Sequence, residues 1–240
     1  MLTVVGIGPG NKGAMTEDAL HTLSECSLIV GYTSYTELVK PYFADKEIYS
    51  TGMRSETERV RYALAQSADR DVALICSGDS AVYAMAGLVY EIAEKEYPDA
   101  CISIKAGITA ALSGGALLGA PLTNDFAVIS LSDLLTPADV IERRLRAAAG
   151  CDIVTVIYNP SSHKRKDHLK QACGIFLEYR PSDTVCGITR NIGRDGEEYS
   201  ILTLEALEGY QADMFTTVFI GNSYTRVING KMVTVRGYEI

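Results

Sequence analysis

Several familiar features are missing from this chain of 240 residues. The longest purely apolar runs are of strand length, so no segment is expected to span a bilayer. The opening residues read as a strand, not as a charged region followed by an apolar core, so no secretory leader is expected. Basic residues are outnumbered by acidic ones, 22 to 30, for a net charge of −8. Nucleic-acid binding usually needs a basic face, and the overall balance does not supply one, although a local basic pocket stays open. The six cysteines (Cys26, Cys76, Cys101, Cys151, Cys173, Cys186) are scattered without a CxxC pair. The three histidines do not fall at metal-ligand spacing from them, which argues against zinc or a cluster. Reduced thiols in a cytoplasmic protein are the simplest reading. No internal repeat and no low-complexity segment is present.

What is there is an α/β pattern. The chain is 47% hydrophobic, enough for a substantial core in one large domain or two small ones. Leu2-Thr3-Val4-Val5 is a short strand that runs directly into Gly6-Ile7-Gly8-Pro9-Gly10. Val72 to Ile75 does the same into Ser77-Gly78-Asp79-Ser80. A strand entering a glycine-rich turn brings backbone close to a small ligand. Thr16 is placed to cap a helix, with Glu17 and Asp18 in its first turn. Ser55 and Glu58 have the spacing of a capping box for a helix through Gln66. Residues 81–94 are expected to be helical, and 109–118 to form an Ala- and Gly-rich helix packed closely on a neighbour or a ligand. Strands alternating with helices read as βαβ units with a parallel sheet.

The texture changes at Gly119-Ala120-Pro121, which places the boundary between an N-terminal domain, 1–121, and a C-terminal domain, 122–240. The second half reads as a mixed sheet with helices: strands near 126–131, 153–158, 184–189, 199–203, 216–220 and 231–235, a helix begun by Thr136-Pro137, and another at 166–179.

Each motif has a plain alternative. GIGPG is not a dinucleotide fingerprint, because Asn11 stands where the third glycine belongs, and no GK[ST] follows for a P-loop. The ligand therefore need not carry a phosphate. Ser77 to Ser80 is compatible with an ordinary Asx turn, and Gly107-Ile108-Thr109 with a helix start. Lys164, Arg165, Arg190, Arg194 and Arg236 gather in loops, as does Arg54. Arginines at strand ends suit a ligand bearing carboxylates, although any one of them also reads as a solvated surface residue. Ser132 and Asp133 follow a strand, where turn-forming and acid/base roles are both open. His163 reads more readily as a loop residue. No Ser-His-Asp or Cys-His set is evident.

The ordered set GIGPG, SGDSAVYAMAG, GITAALSGGALLGAPL, DFAVISLSDLLTP, YNPSSHKR, RNIGRDGEE and DMFTTVFIGN resembles the tetrapyrrole (corrin/porphyrin) methylases across the whole chain. The segments TGM, DFAVISLSDLLTP, YNPSS and MVTVRGY are similar to the branch that methylates C17 of precorrin-3B or cobalt-factor III, with ring contraction, in cobalamin biosynthesis. The resemblance implies two α/β domains with a cleft between them that binds S-adenosyl-L-methionine, and a homodimer. It carries cofactor contacts onto Pro9, Gly78, Asp79, Val82, Thr109, Ala110, Asn159, Asn191, Ile192, Gly193 and Thr217. It gives the basic loops a macrocycle to bind, through Arg54, Lys164, Arg165, Arg190 and Arg194. Ring contraction needs proton movement, for which Ser132, Asp133 and His163 are the candidates. No protein-bound metal is implied. Ser80, Ala106 and Asn124 depart from the family's usual Pro or Ala, Pro and His. Three alternatives stand beside this reading: a methylase acting at another ring position, C11 or C20, a tetrapyrrole-binding protein without turnover, and an RNA or protein methylase of the same superfamily, which the acidic charge disfavours for RNA.

Overall fold

The computed structural model describes residues 1–161 and 167–239, and the chain divides into two compact units, Met1–Thr109 and Ala110–Ile240. The first unit runs β1 (Leu2–Gly6), α1 (Glu17–Glu25), β2 (Leu28–Tyr32), α2 (Thr33–Val39), β3 (Glu47–Thr51), α3 (Glu56–Gln66), β4 (Val72–Cys76), α4 (Ala86–Glu96) and β5 (Ile102–Lys105). Its five strands form a parallel sheet in the order β3-β2-β4-β1-β5. Alternate side chains of a strand point to opposite faces. Accordingly Leu2, Val4, Leu28, Val30 and Leu74 pack with Val60 and Leu64 of α3 and Val89 and Ile92 of α4. Val5, Ile29, Ala73 and Ile75 pack with Ala19 and Leu23 of α1 and Val39 of α2. Both faces are covered, which is why these strands read as continuous apolar runs. Each fully buried Leu, Ile or Val contributes roughly 1.5–3 kcal/mol of transfer free energy.

Thr16 caps α1 as its position suggests, accepting the Ala19 amide at 3.2 Å. Ser55 and Glu58 do not form a capping box. Ser55 makes no side-chain cap bond, and the Glu58 carboxylate accepts the Tyr49 hydroxyl at 3.3 Å instead. The helix expected from Ala81 starts only at Ala86. Asp79 takes the amides of Ala81 and Val82 for its own carboxylate, and Tyr83 adopts a left-handed φ of 53°. Those bonds keep the segment open as a loop.

The second unit runs α5 (Ala110–Leu118), β6 (Gly119–Ala120), β7 (Phe126–Ser130), α6 (Ala138–Gly150), β8 (Val154–Tyr158), α7 (His168–Leu177), β9 (Val185–Arg190), β10 (Glu198–Thr203), α8 (Leu204–Glu208), β11 (Thr216–Ile220), β12 (Thr225–Ile228) and β13 (Lys231–Thr234). The mixed sheet has the order β10-β9-β11-β8-β7, with only β7 and β8 parallel, and β12-β13-β6 form a smaller sheet. Ile157, Cys186, Ile188, Val218 and Ile220 face α6, α7 and α8. Val156 and Phe219 face the other way, with Ala111 and Leu118 of α5 and Met232 of β13.

In this division α5 lies within the second unit, ahead of the texture change at 119–121, because it packs on β9 and β11. A Cβ on Gly114 would stand 2.7 Å from Thr189 Oγ1 and 3.0 Å from Phe219 Cζ. The small residues of α5 therefore serve protein packing. At α6, Pro137 is itself the cap residue, with ψ 142°, and no side chain caps the helix, so α6 begins one residue later than expected. Among the described residues no helix is long and apolar enough to cross a membrane.

Candidate functional site

In the first unit, three glycine-bearing turns meet beyond the carboxyl ends of β1, β4 and β5. Gly8 and Gly78 exchange backbone hydrogen bonds at 3.0 and 2.8 Å, each with a left-handed φ near 70°. A Cβ on Gly107 would lie 2.1 Å from Gly78 O, and one on Gly6 would lie 2.6 Å from Gly107 N. Only glycine permits this approach. Asp79 closes the arrangement. Its Oδ1 accepts Ala81 N at 2.8 Å and Val82 N at 3.1 Å, and its Oδ2 accepts Gly107 N at 2.9 Å. Ser80, fully buried, donates to Lys105 O at 2.9 Å. Ser80 thus makes a tie across the sheet edge. Pro9 continues the first turn, Val82 is exposed on the second, and Thr109 ends the third.

The set suits a ligand held largely through main chain, with the exposed Val82 as an apolar patch. Its one carboxylate is engaged with the protein's own amides. Burial pushes the Cys76 thiol at the end of β4 up to about 11, and that of Cys186 on β9 up to about 12. Neither is a thiolate near neutral pH, so neither serves as a nucleophile.

In the second unit the corresponding turns follow β7, β8 and β9. Asn159 and Asn191 both adopt left-handed conformations, with φ 52° and 51°, just beyond β8 and β9. Asparagine tolerates that region better than most residues. Asn159 Nδ2 donates to Ser130 Oγ at 2.8 Å, and the same oxygen accepts the Ser132 amide at 3.2 Å. The turns after β7 and β8 are thereby joined. Tyr158 Oη accepts the Ala111 amide in the first turn of α5, at 2.7 Å. Ala110 opens that helix. The Asn191 loop is stabilised by Gly193 N donating to Glu197 Oε2 at 2.7 Å, and the Ile192 side chain lies against Gly114. Thr217 is buried in β11, where its carbonyl accepts Thr189 Oγ1 at 3.5 Å.

The basic candidates differ in their surroundings. Arg190 is held between two carboxylates: Nε donates to Asp213 Oδ2 at 2.7 Å and Nη1 to Glu198 Oε1 at 3.1 Å. Those bonds, to Asp213 first, raise its pKa. Burial pushes the Asp213 carboxyl up, but hydrogen bonds from Thr216, Arg190 and the Phe215 amide outweigh it and leave the carboxyl below its ordinary value. Arg194 lies 5.9 Å from the Phe215 ring centroid. Arg54 is exposed with a left-handed φ of 67°. His163, Lys164 and Arg165 lie outside the described residues.

Two residues stand out that the sequence did not single out. His168, the first residue of α7, has its Nδ1 3.0 Å from the Leu131 carbonyl, so that nitrogen is the donor. Its Nε2 faces Asp133 Oδ2 at 3.9 Å. The pair sits at one end of a groove of about 580 Å³ between α6 and α7, with Ile141, Leu145 and Ile175 among its lining. Arg59 of α3 is the second, a buried cation. That the α7 histidine reaches the turn carrying Asp133, and that one arginine of α3 is buried, are relationships that appear only in three dimensions.

Comparison with known proteins agrees with this architecture. The family model for Tetrapyrrole (Corrin/Porphyrin) Methylases matches residues 1–208. A relative from Salmonella typhimurium called probable cobalt-factor III C(17)-methyltransferase is 44% identical over all of both chains. One of the same name from Methanocaldococcus jannaschii is 45% identical over 99% of this chain and 98% of its own. The crystal structure of the methyltransferase CobJ superposes with a TM-score of 0.90 at 33% identity, covering 98% of this chain and 99% of that one. With glycine turns at the strand ends and a family match across most of its length, the chain belongs to the tetrapyrrole (corrin/porphyrin) methylases.

Proposed function

We propose that this protein transfers the methyl group of S-adenosyl-L-methionine to C17 of a cobalt-factor III macrocycle in cobalamin biosynthesis. The observation that carries this reading is the end-to-end match with relatives bearing that one named activity. When bound, the donor supplies an already activated sulfonium methyl. The protein's task is then to align the acceptor carbon with it, which alone contributes roughly 7–11 kcal/mol in well-oriented reactions. A Ser-His-Asp set is not needed for such a transfer.

In this reading Pro9, Gly78, Val82 and Thr109 line the donor's site from the glycine turns, and Asp79 acts by fixing the turn's shape. The family resemblance adds Ala110, Asn159, Asn191, Ile192, Gly193 and Thr217 as further donor contacts. Arg54 and Arg194 receive carboxylates of the macrocycle, whereas Arg190 holds the loop that presents them. Asp133, beside His168, is the group for proton movement during ring contraction, with Ser132 holding the turn. The reading includes a homodimer working in the cytoplasm, where the donor is made.

The test is incubation with the donor and cobalt-factor III, followed by mass spectrometry. Formation of S-adenosylhomocysteine with a singly methylated macrocycle supports the reading. Tight donor binding without transfer would favour a non-catalytic tetrapyrrole-binding protein. Sedimentation of the purified protein as a monomer at micromolar concentration would remove the homodimer from the reading.

A further inference from the structure

Arg59 projects from α3 and is only 2% exposed. A guanidinium keeps its proton in proteins, so a full charge is buried there. All of its partners are neutral. Nε donates to Thr51 Oγ1 at 2.9 Å, Nη2 to the Gly52 carbonyl at 2.9 Å, and Nη1 to the Met85 thioether at 3.5 Å, while the Tyr32 ring centroid lies 5.9 Å from Cζ. No carboxylate among the described residues comes within ion-pair distance. By contrast Arg61, on the same helix, is paired with Glu96 at 2.7 Å. Buried charges are normally paired, because desolvation is otherwise uncompensated. Three of the five N–H groups are used by these bonds, and one of them goes to sulfur, a weak acceptor.

The place is as telling as the partners. Tyr32 ends β2, Thr51 ends β3, and Met85 precedes α4. The guanidinium therefore sits at the carboxyl edge of the parallel sheet, where open α/β sheets take their ligands. Met85 is half-exposed and unbranched, so its side chain is the easiest of the contacts to move aside.

We propose that Arg59 is the receptor for a carboxylate of the bound ligand, with the Met85 thioether as the contact that gives way. The proposal rests on the methylase reading, which offers two sources for that carboxylate: the side chains of the macrocycle and the amino-acid end of the methyl donor. A planar fork matches a carboxylate through two parallel hydrogen bonds.

The test compares the full-length protein with Arg59→Met and Arg59→Lys. S-adenosylhomocysteine, methylthioadenosine (which lacks the amino-acid end) and uroporphyrin III (whose rim carries carboxylates) are the probes, titrated by calorimetry or fluorescence, with Tm measured alongside. If the macrocycle supplies the carboxylate, Arg59→Met weakens uroporphyrin by at least about tenfold and leaves S-adenosylhomocysteine unchanged. If the donor supplies it, S-adenosylhomocysteine weakens by that factor and methylthioadenosine does not. In either case Tm holds or rises, because an uncompensated buried charge has been replaced by an apolar stem. Unchanged affinity for every probe, or an equal loss for all of them with a fall in Tm, overturns the proposal. Should Arg59→Met not fold, Arg59→Lys, which keeps the charge and loses the fork, must show the same selective loss, and wild-type affinity in that variant overturns the proposal. Wild-type protein that binds neither S-adenosylhomocysteine nor uroporphyrin overturns the methylase reading itself, and the receptor with it.

Discussion

The Asp79 carboxylate holds the Gly107 amide at 2.9 Å, and by that bond the turns after β4 and β5 become one structure. The same carboxylate keeps Ala81 and Val82 out of α4. One side chain thus sets the shape of the proposed donor site without being available as a free acid. Removing it should open the loop. Asp79→Ala is expected to weaken S-adenosylhomocysteine at least about tenfold, since each lost bond to a charged acceptor is worth about 1.5–3 kcal/mol and the amides left behind lose their partner. Asp79→Asn, which keeps an oxygen for Ala81 and Val82, should fall between. Calorimetry decides; an Asp79→Ala protein with wild-type affinity would detach the loop from the site.

Gly107 should tolerate nothing larger. A Cβ there would meet Gly78 O at 2.1 Å, backbone against backbone, with no flexible side chain to yield. Gly107→Ala is expected to lose about 1–3 kcal/mol, the usual range for overpacking, or more. Gly52→Ala, which meets nothing within 4 Å, is the control. Chemical denaturation of the two variants checks the contrast. Equal stability of both would mean that the three turns separate readily.

Asp213 gives the fold a defined acid response. Its carboxyl lies below the ordinary value of 3.8 in the folded state, so the deprotonated form is the one that stabilises. That contribution is fully present above the unfolded value and is lost as pH falls through the lower, folded one. The Asp213→Asn protein should therefore melt lower than wild type at neutral pH, with the gap narrowing from about pH 4 downward. A gap that stays constant across that range would show that the Arg190 and Thr216 bonds do not depend on the charge.

Asp133 and His168 are expected to act after the donor is bound. His168→Ala should leave S-adenosylhomocysteine affinity within about twofold while lowering turnover of the macrocycle at least about tenfold, less than the roughly hundredfold at the lower end for a positioned acid–base group, because Asp133 itself remains. Single-turnover product analysis separates methylation from ring contraction. Loss of donor affinity and turnover together would make His168 a support for the β7 turn only.

Much of this was legible in the chain. The runs Leu2 to Val5 and Val72 to Ile75 announced buried parallel strands, because both faces of that sheet are covered. The glycine turns read in sequence as backbone brought close to a ligand; in the structure Gly6, Gly78 and Gly107 press the three turns against one another. The start of α4 was not legible, because the helical pattern from Ala81 is overridden by a side-chain carboxylate at Asp79. Arg190 reads in sequence as a free cation for an anionic ligand; its carboxylates come from Glu198 on β10 and from Asp213 before β11, which only strand pairing brings beside it. Arg59 carries no signal in the sequence, since nothing local reveals that Thr51, Gly52 and Met85 close over it. The helix α2, seven residues long, offers too few turns for a periodic signal.

The measurement that tests the central claim most directly is carbon-13 NMR of the macrocycle formed from cobalt-factor III and donor labelled in its methyl group. The account predicts a single new methyl resonance correlated with C17. Label at C11, C20 or any other ring carbon, or no incorporation by a protein that binds the donor, would contradict it.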